Sequence, residues 1–382
     1  ALRILRLLLQ MIFTCLRRCM TIRNRGESNM NSIMRNDIEN IADSGCFSSF
    51  DKETIMVTGA TGLVGSMFVK SVLRYNQKYN HSVHVLAMVR NLEKASRLYT
   101  DYEKEECLDV IEWDINCSLQ YDGNIDYIVH GASITASKSF VEYPVETVKT
   151  AVQGSINVLE VAKEKNVKGI VYLSSLEVYG GFENDGVKRI SETDYGYIDF
   201  LKTRSSYSES KKMVENIFVS YFSEYEVKTK IARLTQTFGS GVAYNDSRVF
   251  AEFARCAVEG KDIVLHTKGE TVRNYCYIID AITAIATILV HGELGCAYNV
   301  AGDNTVVSIY EMANRFVKYS NHDISVKIQN DINEGMGYNP IVKIELVNEL
   351  IKTLGWTSQC DIDMAIKNFL EYMREIGEEF DK

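Results

Sequence analysis

Two patterns of apolar and polar residues alternate along most of the chain: short apolar runs, and longer segments in which apolar residues recur at helical spacing. Short apolar runs with strand character predict β-strands at 54–58, 83–89, 108–113, 126–130, 168–174 and 228–234. Amphipathic segments lie between these runs. In 145–165, for example, Val148, Val152, Ile156 and Leu159 recur at helical spacing. Because strands that alternate with helices form parallel sheets covered on both faces, we expect an α/β fold with a doubly wound parallel sheet.

The first predicted strand leads directly into three closely spaced glycines. Residues 58–65 read Thr-Gly-Ala-Thr-Gly-Leu-Val-Gly, and a helix-compatible apolar segment follows. Glycine lets the backbone turn sharply and approach a pyrophosphate, and a helix N-terminus offers free N–H groups to phosphates. The strand, the spacing and the helix together predict a Rossmann-type dinucleotide site. Its expected residues are Gly59, Thr61, Gly62, Leu63, Val64 and Gly65.

The residue after the second strand bears on the choice of dinucleotide. NAD-binding sheets usually place Asp or Glu there to hold the ribose 2′-hydroxyl, but this chain has Arg90 followed by Asn91. A cation there suits a 2′-phosphate, so NAD and NADP both remain open, as does a solvated surface arginine. After the third strand, Asp114 and Ile115 are candidates for contacts with the adenine; a plain turn aspartate is the alternative.

The length of the chain and a change in its strand–helix pattern predict more than one structural unit. At 382 residues the chain exceeds one typical domain, and beyond about 240 the strand–helix alternation becomes irregular. We expect an N-terminal extension at 1–50 that is partly disordered, and an NAD(P)-binding Rossmann domain at 51–240. A smaller C-terminal substrate-binding lobe at 241–382 is expected to interleave with that domain.

Composition narrows the class of protein. The 46% apolar and 24% charged residues are those of an ordinary soluble globular chain. A net charge of −9 argues against non-specific binding of nucleic acid, which needs a basic surface. The nine cysteines are scattered without a C-x-x-C pair, so we predict neither a metal site nor a disulfide framework. Reduced thiols of this kind favour a cytoplasmic location.

The N-terminal residues depart from this composition. An apolar run at 7–16 is flanked by arginines on both sides, but ten residues cannot span a bilayer, and no small-residue cleavage site follows. We interpret the first 20 residues as an over-extended or upstream-translated segment outside the fold. A membrane or targeting helix is the alternative, and membrane contact is expected only in that case. Residues 22–35 are polar and are predicted to be disordered.

A second motif carries candidate catalytic residues. Tyr207 and Lys211 are four residues apart, which places them on one face of a helix. A phenol has a reference pKa of about 10, and a neighbouring ammonium together with a nicotinamide cation favours its ionised form. Ser175 follows a predicted strand at the carboxyl edge, where ligands bind in such sheets, and can hydrogen-bond the reacting oxygen. An ordinary surface helix pair is the alternative interpretation of Tyr207 and Lys211.

Four motifs in this order resemble the extended short-chain dehydrogenase/reductase family. They are the glycine loop at 58–65, Ser-Ser-Leu-Glu-Val-Tyr-Gly at 174–180, Tyr-x-x-x-Lys at 207–211 and Arg-Asn-Tyr-Cys-Tyr-Ile-Ile-Asp at 273–280. Within that family, the nucleotide-sugar epimerases, dehydratases and decarboxylases are the nearest group. The resemblance covers about residues 50–375.

The resemblance assigns roles to individual residues. It implies a catalytic triad of Ser175, Tyr207 and Lys211, of which the last two also contact the cofactor. It places Arg273 on the diphosphate of the substrate, although a surface salt bridge is the alternative. Arg248 lies in a segment, Asp-Ser-Arg-Val-Phe, that is similar to the decarboxylase branch.

The chain also departs from the family's pattern. Gln236 replaces the usual Asn, where we expect it to contact substrate, and Ser240 replaces a proline. The Asp-Glu pair of the hexose-nucleotide 4,6-dehydratases is here Leu176-Glu177. Glu177 is therefore a candidate acid or base without its partner acid, or else a partly buried hydrogen-bond acceptor. The segment that begins at Arg204, before the tyrosine, looks like the glucuronate decarboxylase branch, whereas Ser208-Glu209-Ser210-Lys211 is closer to the epimerases.

The resemblance implies an enzyme that oxidises a nucleotide-diphosphate sugar at C4 with a tightly bound, recycled NAD or NADP. Epimerisation, dehydration and decarboxylation of the 4-keto sugar all remain open. An NADPH-dependent reductase of the same fold and a non-catalytic dinucleotide-sensing scaffold are the alternatives. A homodimer formed by helices in 145–165 and 205–225 is expected by resemblance, with no nucleic-acid partner.

Overall fold

The computed structural model describes residues 30–183, 186–329 and 341–380. A parallel sheet of seven strands lies at its centre. Its strands are β1 (Thr54–Thr58), β2 (His84–Val89), β3 (Leu108–Glu112), β4 (Tyr127–His130), β5 (Gly169–Ser175), β7 (Thr229–Leu234) and β12 (Ala297–Val300). They are arranged in the order β12-β7-β5-β4-β1-β2-β3, so the chain winds outward from β1 in both directions.

The remaining strands within the described residues form four two-stranded sheets. Their strands are β6 (Lys188–Ile190), β8 (Gln236–Phe238), β9 (Ile263–Leu265), β10 (Val272–Arg273), β11 (Tyr275–Tyr277), β13 (Val307–Ser308), β14 (Val326–Ile328) and β15 (Ile344–Leu346). The pairs β6–β15, β8–β11 and β9–β14 are parallel, and β10–β13 is antiparallel.

Helices cover both faces of the central sheet. Those before β7 are α1 (Ser32–Asp43), α2 (Leu63–Tyr79), α3 (Leu92–Leu98), α4 (Ser137–Glu142), α5 (Pro144–Glu164) and α6 (Ser206–Tyr225). Those after it are α7 (Val249–Glu259), α8 (Ile278–His291), α9 (Ile309–Tyr319), α10 (Glu349–Lys352) and α11 (Ile362–Phe380). Short 3-10 turns lie at Ser48–Phe50, Thr100–Tyr102, Leu176–Tyr179 and Thr203–Ser205.

The alternation of side chains along the strands divides the core into two layers. In β5, Val171 and Leu173 belong to one buried cluster, whereas Ile170 and Tyr172 belong to the cluster on the opposite face. Such strands are apolar on both sides, which is why they read as nearly continuous hydrophobic runs. The six predicted strands are confirmed within two residues at each end.

One strand of the central sheet was not predicted. Strand β12 has only four residues and lies beyond 240, where the strand–helix alternation is irregular; it pairs with β7 from Ala297 to Val300. It lies inside the segment expected to form the substrate-binding lobe. The sheet therefore draws on sequence from beyond residue 240, and the division at 240 stays a prediction.

Helix α1 corrects the expectation of disorder for residues 30–35, whereas the rest of that predicted segment, 22–29, lies outside the described residues. The helix begins at Ser32, and the side chain of Asn31 caps it by accepting bonds from two backbone N–H groups. Ile38 and Ile41 are buried against the core, so packing against the rest of the fold compensates for the polar character of this segment. The apolar run at 7–16 lies outside the described residues. Among the helices that the structure describes, none has the length and apolar character needed to span a membrane.

Candidate active site

The glycine loop forms a close-fitting cradle at the carboxyl edge of the sheet. Gly59 has φ +70, and a Cβ there would lie 2.9 Å from the backbone nitrogen of Ala132. A Cβ at Gly65 would overlap the carbonyl group of Gly59. Helix α2 begins at Leu63 with no side-chain cap, so its first N–H groups are available to a phosphate. These residues fit the pyrophosphate of a dinucleotide.

Contacts around the cradle hold its shape. The buried hydroxyl group of Tyr99 donates a 2.6 Å bond to the carbonyl oxygen of Ala60. Thr58 Oγ1 accepts bonds from the backbone nitrogens of Gly131 and Ala132, which join β1 to the loop after β4. The start of the cradle and its neighbouring loop are therefore fixed independently of any ligand.

The two candidate adenine residues lie after β3 in different environments. Asp114 is exposed and accepts two bonds from Asn116, as a turn aspartate does. Ile115 is buried, and the position of a Cβ at Gly154 would lie 3.0 Å from its side chain. A role for this pair at the adenine stays a prediction.

The structure brings the three candidate catalytic residues together. Tyr207 is on the first turn of α6, and its side chain hydrogen-bonds that of Ser175 at the end of β5. Its ring stacks on Phe140 of α4, with ring centroids 4.3 Å apart and planes inclined by 12°. Lys211, one turn later, donates a 2.7 Å bond from Nζ to the carbonyl oxygen of Leu173. Its Nζ lies 5.6 Å from the centroid of the Tyr207 ring.

The pKa values of the pair are set first by burial. Loss of solvent raises the pKa of Tyr207 above its ordinary value, and the charge of Glu177 raises it further. The Ser175 hydrogen bond and the Arg204 charge oppose that rise. Burial also lowers the pKa of Lys211 to about 7. The lysine alone therefore does not bring the phenol to working pH, and the expected shift depends on the nicotinamide cation.

Glu177 is held by an ion pair that sequence reasoning missed. The two terminal guanidinium nitrogens of Arg204 each donate a 3.0 Å bond to a different oxygen of Glu177, and Ser208 Oγ donates a further 2.9 Å bond. The Arg204 guanidinium also lies over the ring of Phe140, at 4.8 Å from its centroid. The sequence signals at Arg204 were its position three residues before Tyr207 and the resemblance of its segment to the glucuronate decarboxylase branch, and neither names Glu177 as its partner. Glu177 is thus a hydrogen-bonded acceptor beside the phenol.

A second network of buried hydrogen bonds and an ion pair lies next to the candidate catalytic residues. Glu215, one turn beyond Lys211 on α6, pairs with Arg233 of β7 at 2.7 Å. It also accepts a 2.5 Å bond from Ser174, the neighbour of the candidate catalytic serine. Arg233 donates a further 2.9 Å bond to the hydroxyl group of Tyr179. No sequence signal linked these distant residues, and together they fix the segment from β5 to the following turn.

The three candidate substrate residues lie on or near the small sheets. Gln236 of β8 pairs in register with Tyr275 of β11, two residues after Arg273. Arg248 is engaged by Asp246 through two nitrogens, at 2.8 and 3.0 Å, which limits its freedom to bind substrate. Arg273 is half-buried, and its side chain forms no hydrogen bond or ion pair with other residues that the structure describes. The alternative of a surface salt bridge therefore finds no partner among those residues.

Comparisons with known proteins agree with this architecture. A family model described as "NAD dependent epimerase/dehydratase family" matches residues 55–301. UDP-glucuronic acid decarboxylase 1 of Danio rerio is 24% identical over 323 residues, which are 81% of this chain and 73% of the relative. UDP-glucuronic acid decarboxylase 6 of Arabidopsis thaliana is 27% identical over 308 residues, with 79% and 83% covered.

Two solved structures share the fold. A dTDP-glucose 4,6-dehydratase from Streptomyces venezuelae, solved with NAD and TYD, has a TM-score of 0.71 at 20% identity, covering 84% of this chain and 97% of its own. A UDP-glucuronic acid 4-epimerase from Bacillus cereus, solved with NAD, has a TM-score of 0.68 at 19% identity, covering 85% and 99%. The doubly wound fold predicted from the sequence is confirmed. With the cradle, the Tyr-x-x-x-Lys helix and a family match over 55–301, the chain belongs to the NAD-dependent epimerase/dehydratase family.

Proposed function

We propose that this chain oxidises a nucleotide-diphosphate sugar at C4 and then releases the C6 carboxylate as carbon dioxide, leaving a pentose. The observation that carries the choice of outcome is the environment of Glu177. Its carboxylate is held by Arg204 and Ser208, and the neighbouring position that would supply a second acid is Leu176.

The residues of the triad account for the first step. Tyr207 is in position to take the proton of the C4 hydroxyl group, and Ser175 hydrogen-bonds the same phenol. Lys211 places its positive charge beside that ring. When bound, the dinucleotide supplies the acceptor for the hydride from C4. The glycine cradle and the free N–H groups of α2 are the residues that would hold it.

The fate of the 4-keto sugar follows from which proton transfers the site can perform. Elimination across C5–C6 needs one group to remove the C5 proton and another to protonate the leaving hydroxyl group. Leu176 cannot donate a proton, and the pairing with Arg204 keeps the Glu177 carboxylate occupied. Loss of carbon dioxide needs no base at C5, because the C6 carboxylate is β to the C4 ketone. The C5–C6 bond breaks, carbon dioxide leaves, the electron pair of the bond becomes an enolate, and the enolate takes up a proton at C5.

Substrate binding is proposed from charge and chemistry. The uncommitted guanidinium of Arg273 suits two-point binding of a diphosphate, and Gln236 lies on the neighbouring strand pair. Relatives named UDP-glucuronic acid decarboxylase support a uronic acid as the sugar. A homodimer is part of the same proposal.

An NADPH-dependent reductase of the same fold is the second candidate, favoured by Arg90 after β2. The two differ in stoichiometry. A decarboxylase regenerates its dinucleotide in each cycle, whereas a reductase consumes NADPH. A non-catalytic scaffold is disfavoured because Ser175, Tyr207 and Lys211 are all present and adjacent.

The test is incubation with UDP-glucuronic acid, UDP-glucose and dTDP-glucose, followed by mass analysis of the nucleotide sugars. We expect UDP-glucuronic acid to lose the mass of carbon dioxide with no net change in the dinucleotide. Loss of water from a hexose substrate would contradict the choice of outcome, as would an isomer of unchanged mass. Stoichiometric oxidation of added NADPH would favour the reductase. Reactions without protein control for spontaneous decay.

A further inference from the structure

Arg90 is the charged residue that directly follows β2. It is exposed, and within the described part of the chain it has no hydrogen bond or ion pair. Two side chains nearby, those of Asn91 and Arg97, already have partners. The side chain of Asn91 caps α3 by accepting a 2.7 Å bond from the backbone nitrogen of Lys94, and Arg97 pairs with Glu93. A guanidinium without a partner at this place is therefore available to a ligand.

The surroundings of Arg90 extend the dinucleotide cradle. Arg90 lines a cavity of about 420 Å³ together with residues of the loop after β4, among them Ser133 and Thr135. The first residues of that loop, Gly131 and Ala132, have their backbone against Gly59 of the cradle. The loop that lines the cavity therefore starts beside the pyrophosphate cradle, and Arg90 places the cavity at the end of β2, where the adenosine ribose lies in Rossmann sheets.

The charge balance of the cavity favours an anion near Arg90. Hydroxyl groups of Ser133, Thr135 and Ser139 offer donors along the wall. One carboxylate, Glu146, lines the same cavity, and Lys149 lies 3.7 Å from it. At the position that holds a ribose 2′-hydroxyl in NAD sites, the chain offers a cation instead of a carboxylate.

We propose that Arg90 makes this an NADP site, by binding the 2′-phosphate of the adenosine ribose. The planar guanidinium can bind a phosphate through two parallel hydrogen bonds, and the charge-assisted pair is stronger than a neutral one. No acidic residue at 90 or 91 accepts a bond from the 2′-hydroxyl group of NAD. The proposal rests on the dinucleotide site of the proposed function but not on what happens to the sugar.

Equilibrium binding tests the proposal without any turnover. The full chain, freed of bound nucleotide, is titrated calorimetrically with NADP⁺ and NAD⁺, and with the fragments 2′,5′-ADP and 5′-AMP. We expect NADP⁺ to bind at least about 10-fold more tightly than NAD⁺, because the 2′-phosphate adds hydrogen bonds between charged groups. The same preference should appear for 2′,5′-ADP over 5′-AMP and should weaken as salt rises.

Three variants test whether the side chain of Arg90 is responsible for the preference. Arg90→Ala should weaken NADP⁺ binding by about 10- to 100-fold and leave NAD⁺ binding unchanged. Arg90→Asp should reverse the preference, because a carboxylate accepts the 2′-hydroxyl bond and repels the phosphate. Arg97→Ala removes the same charge from a paired arginine nearby and should change neither affinity.

Three outcomes would overturn the inference, and they separate it from the proposed function. Tighter binding of NAD⁺ than NADP⁺ by the unaltered chain, or equal weakening of both by Arg90→Ala, would refute the role of Arg90 and leave the dinucleotide site standing. Failure to bind either dinucleotide would refute the site itself, and the proposed function with it.

Discussion

At the scale of single residues, the site is organised around one buried phenol. Phe140 covers a face of the Tyr207 ring, and Ser175 hydrogen-bonds its hydroxyl group. Lys211 reaches the backbone at Leu173 instead of the phenol, so it acts on the ring through its charge. Burial disfavours the ionised form of both groups, which makes their reactivity depend on what else enters the site.

Replacing Tyr207 with Phe tests the role of the hydroxyl group alone. The variant keeps the ring that stacks on Phe140 and removes the proton acceptor for the sugar. We expect kcat to fall by about 10²–10⁴-fold while dinucleotide binding stays largely intact. Steady-state kinetics and calorimetric titration measure the two quantities.

A matched control lies on the same helix. Tyr221 donates a 2.5 Å bond to Glu160 on the surface between α5 and α6, away from Ser175 and Lys211. Tyr221→Phe should leave turnover unchanged. Full activity in Tyr207→Phe would contradict the assignment, as would an equal loss in both variants.

At the scale of elements, α1 explains one departure of this chain from the family's sequence pattern. Ser240 stands where the family has a proline, and its hydroxyl group donates a 2.6 Å bond to Asp37 of α1. Tyr277, at the end of β11, donates a second bond of 2.8 Å to the same carboxylate. Helix α1 thus ties the turn after β8 to the core, next to the first residue of α2.

The Asp37 contact predicts a pH dependence of stability. Burial raises the pKa of Asp37 from 3.8 to about 6. Since the folded state then binds the proton more tightly than the unfolded state, this group's stabilisation is greatest below pH 4 and is lost as pH rises to about 6. The loss is at most about 3 kcal/mol, since one pKa unit corresponds to about 1.4 kcal/mol.

Asp37→Asn isolates this effect, because the amide stays neutral and keeps an oxygen that accepts a hydrogen bond. The Tm of the variant relative to the unaltered chain should rise between about pH 4 and 6.5, then level off. Asp43→Asn on the same helix is the control. Asp43 is exposed, and its bond from Lys78 lowers its pKa, so the difference should stay flat above pH 4.5. Parallel thermal curves for Asp37→Asn and the unaltered chain would show that Asp37 is not the group responsible.

At the scale of the whole molecule, the features predicted from the sequence depend on residues close together in the chain. The features that were missed depend on residues far apart in it. The six strands, the cradle at 59–65 and the helix carrying Tyr207 and Lys211 depend on patterns within a few residues, and each was predicted. The Arg204–Glu177 pair joins residues 27 positions apart, and Ser240–Asp37 joins residues 203 apart. Contacts of that range have no local signature. Strand β12 needed β7 beside it, and α1 needed the core beneath it.

The exposed surface of helices α5 and α6 bears on the oligomeric state of the chain. Helices α5 and α6 pack against each other and leave apolar side chains facing outward; Val145 is 62% exposed and Met213 is 53% exposed. An apolar surface on two adjacent helices is suited to pairing with a second copy.

We therefore expect the chain to sediment as a dimer, and Met213→Glu to shift it toward the monomer, since an unpaired charge buried at an interface is costly. Met364 on α11 is exposed to a similar extent, at 46%, but lies on a different helix from this surface. Met364→Glu should leave the assembly unchanged at the same protein concentration. A monomeric unaltered chain would make the expectation of a homodimer wrong. A dimer that survives Met213→Glu would exclude this part of α6 from the interface.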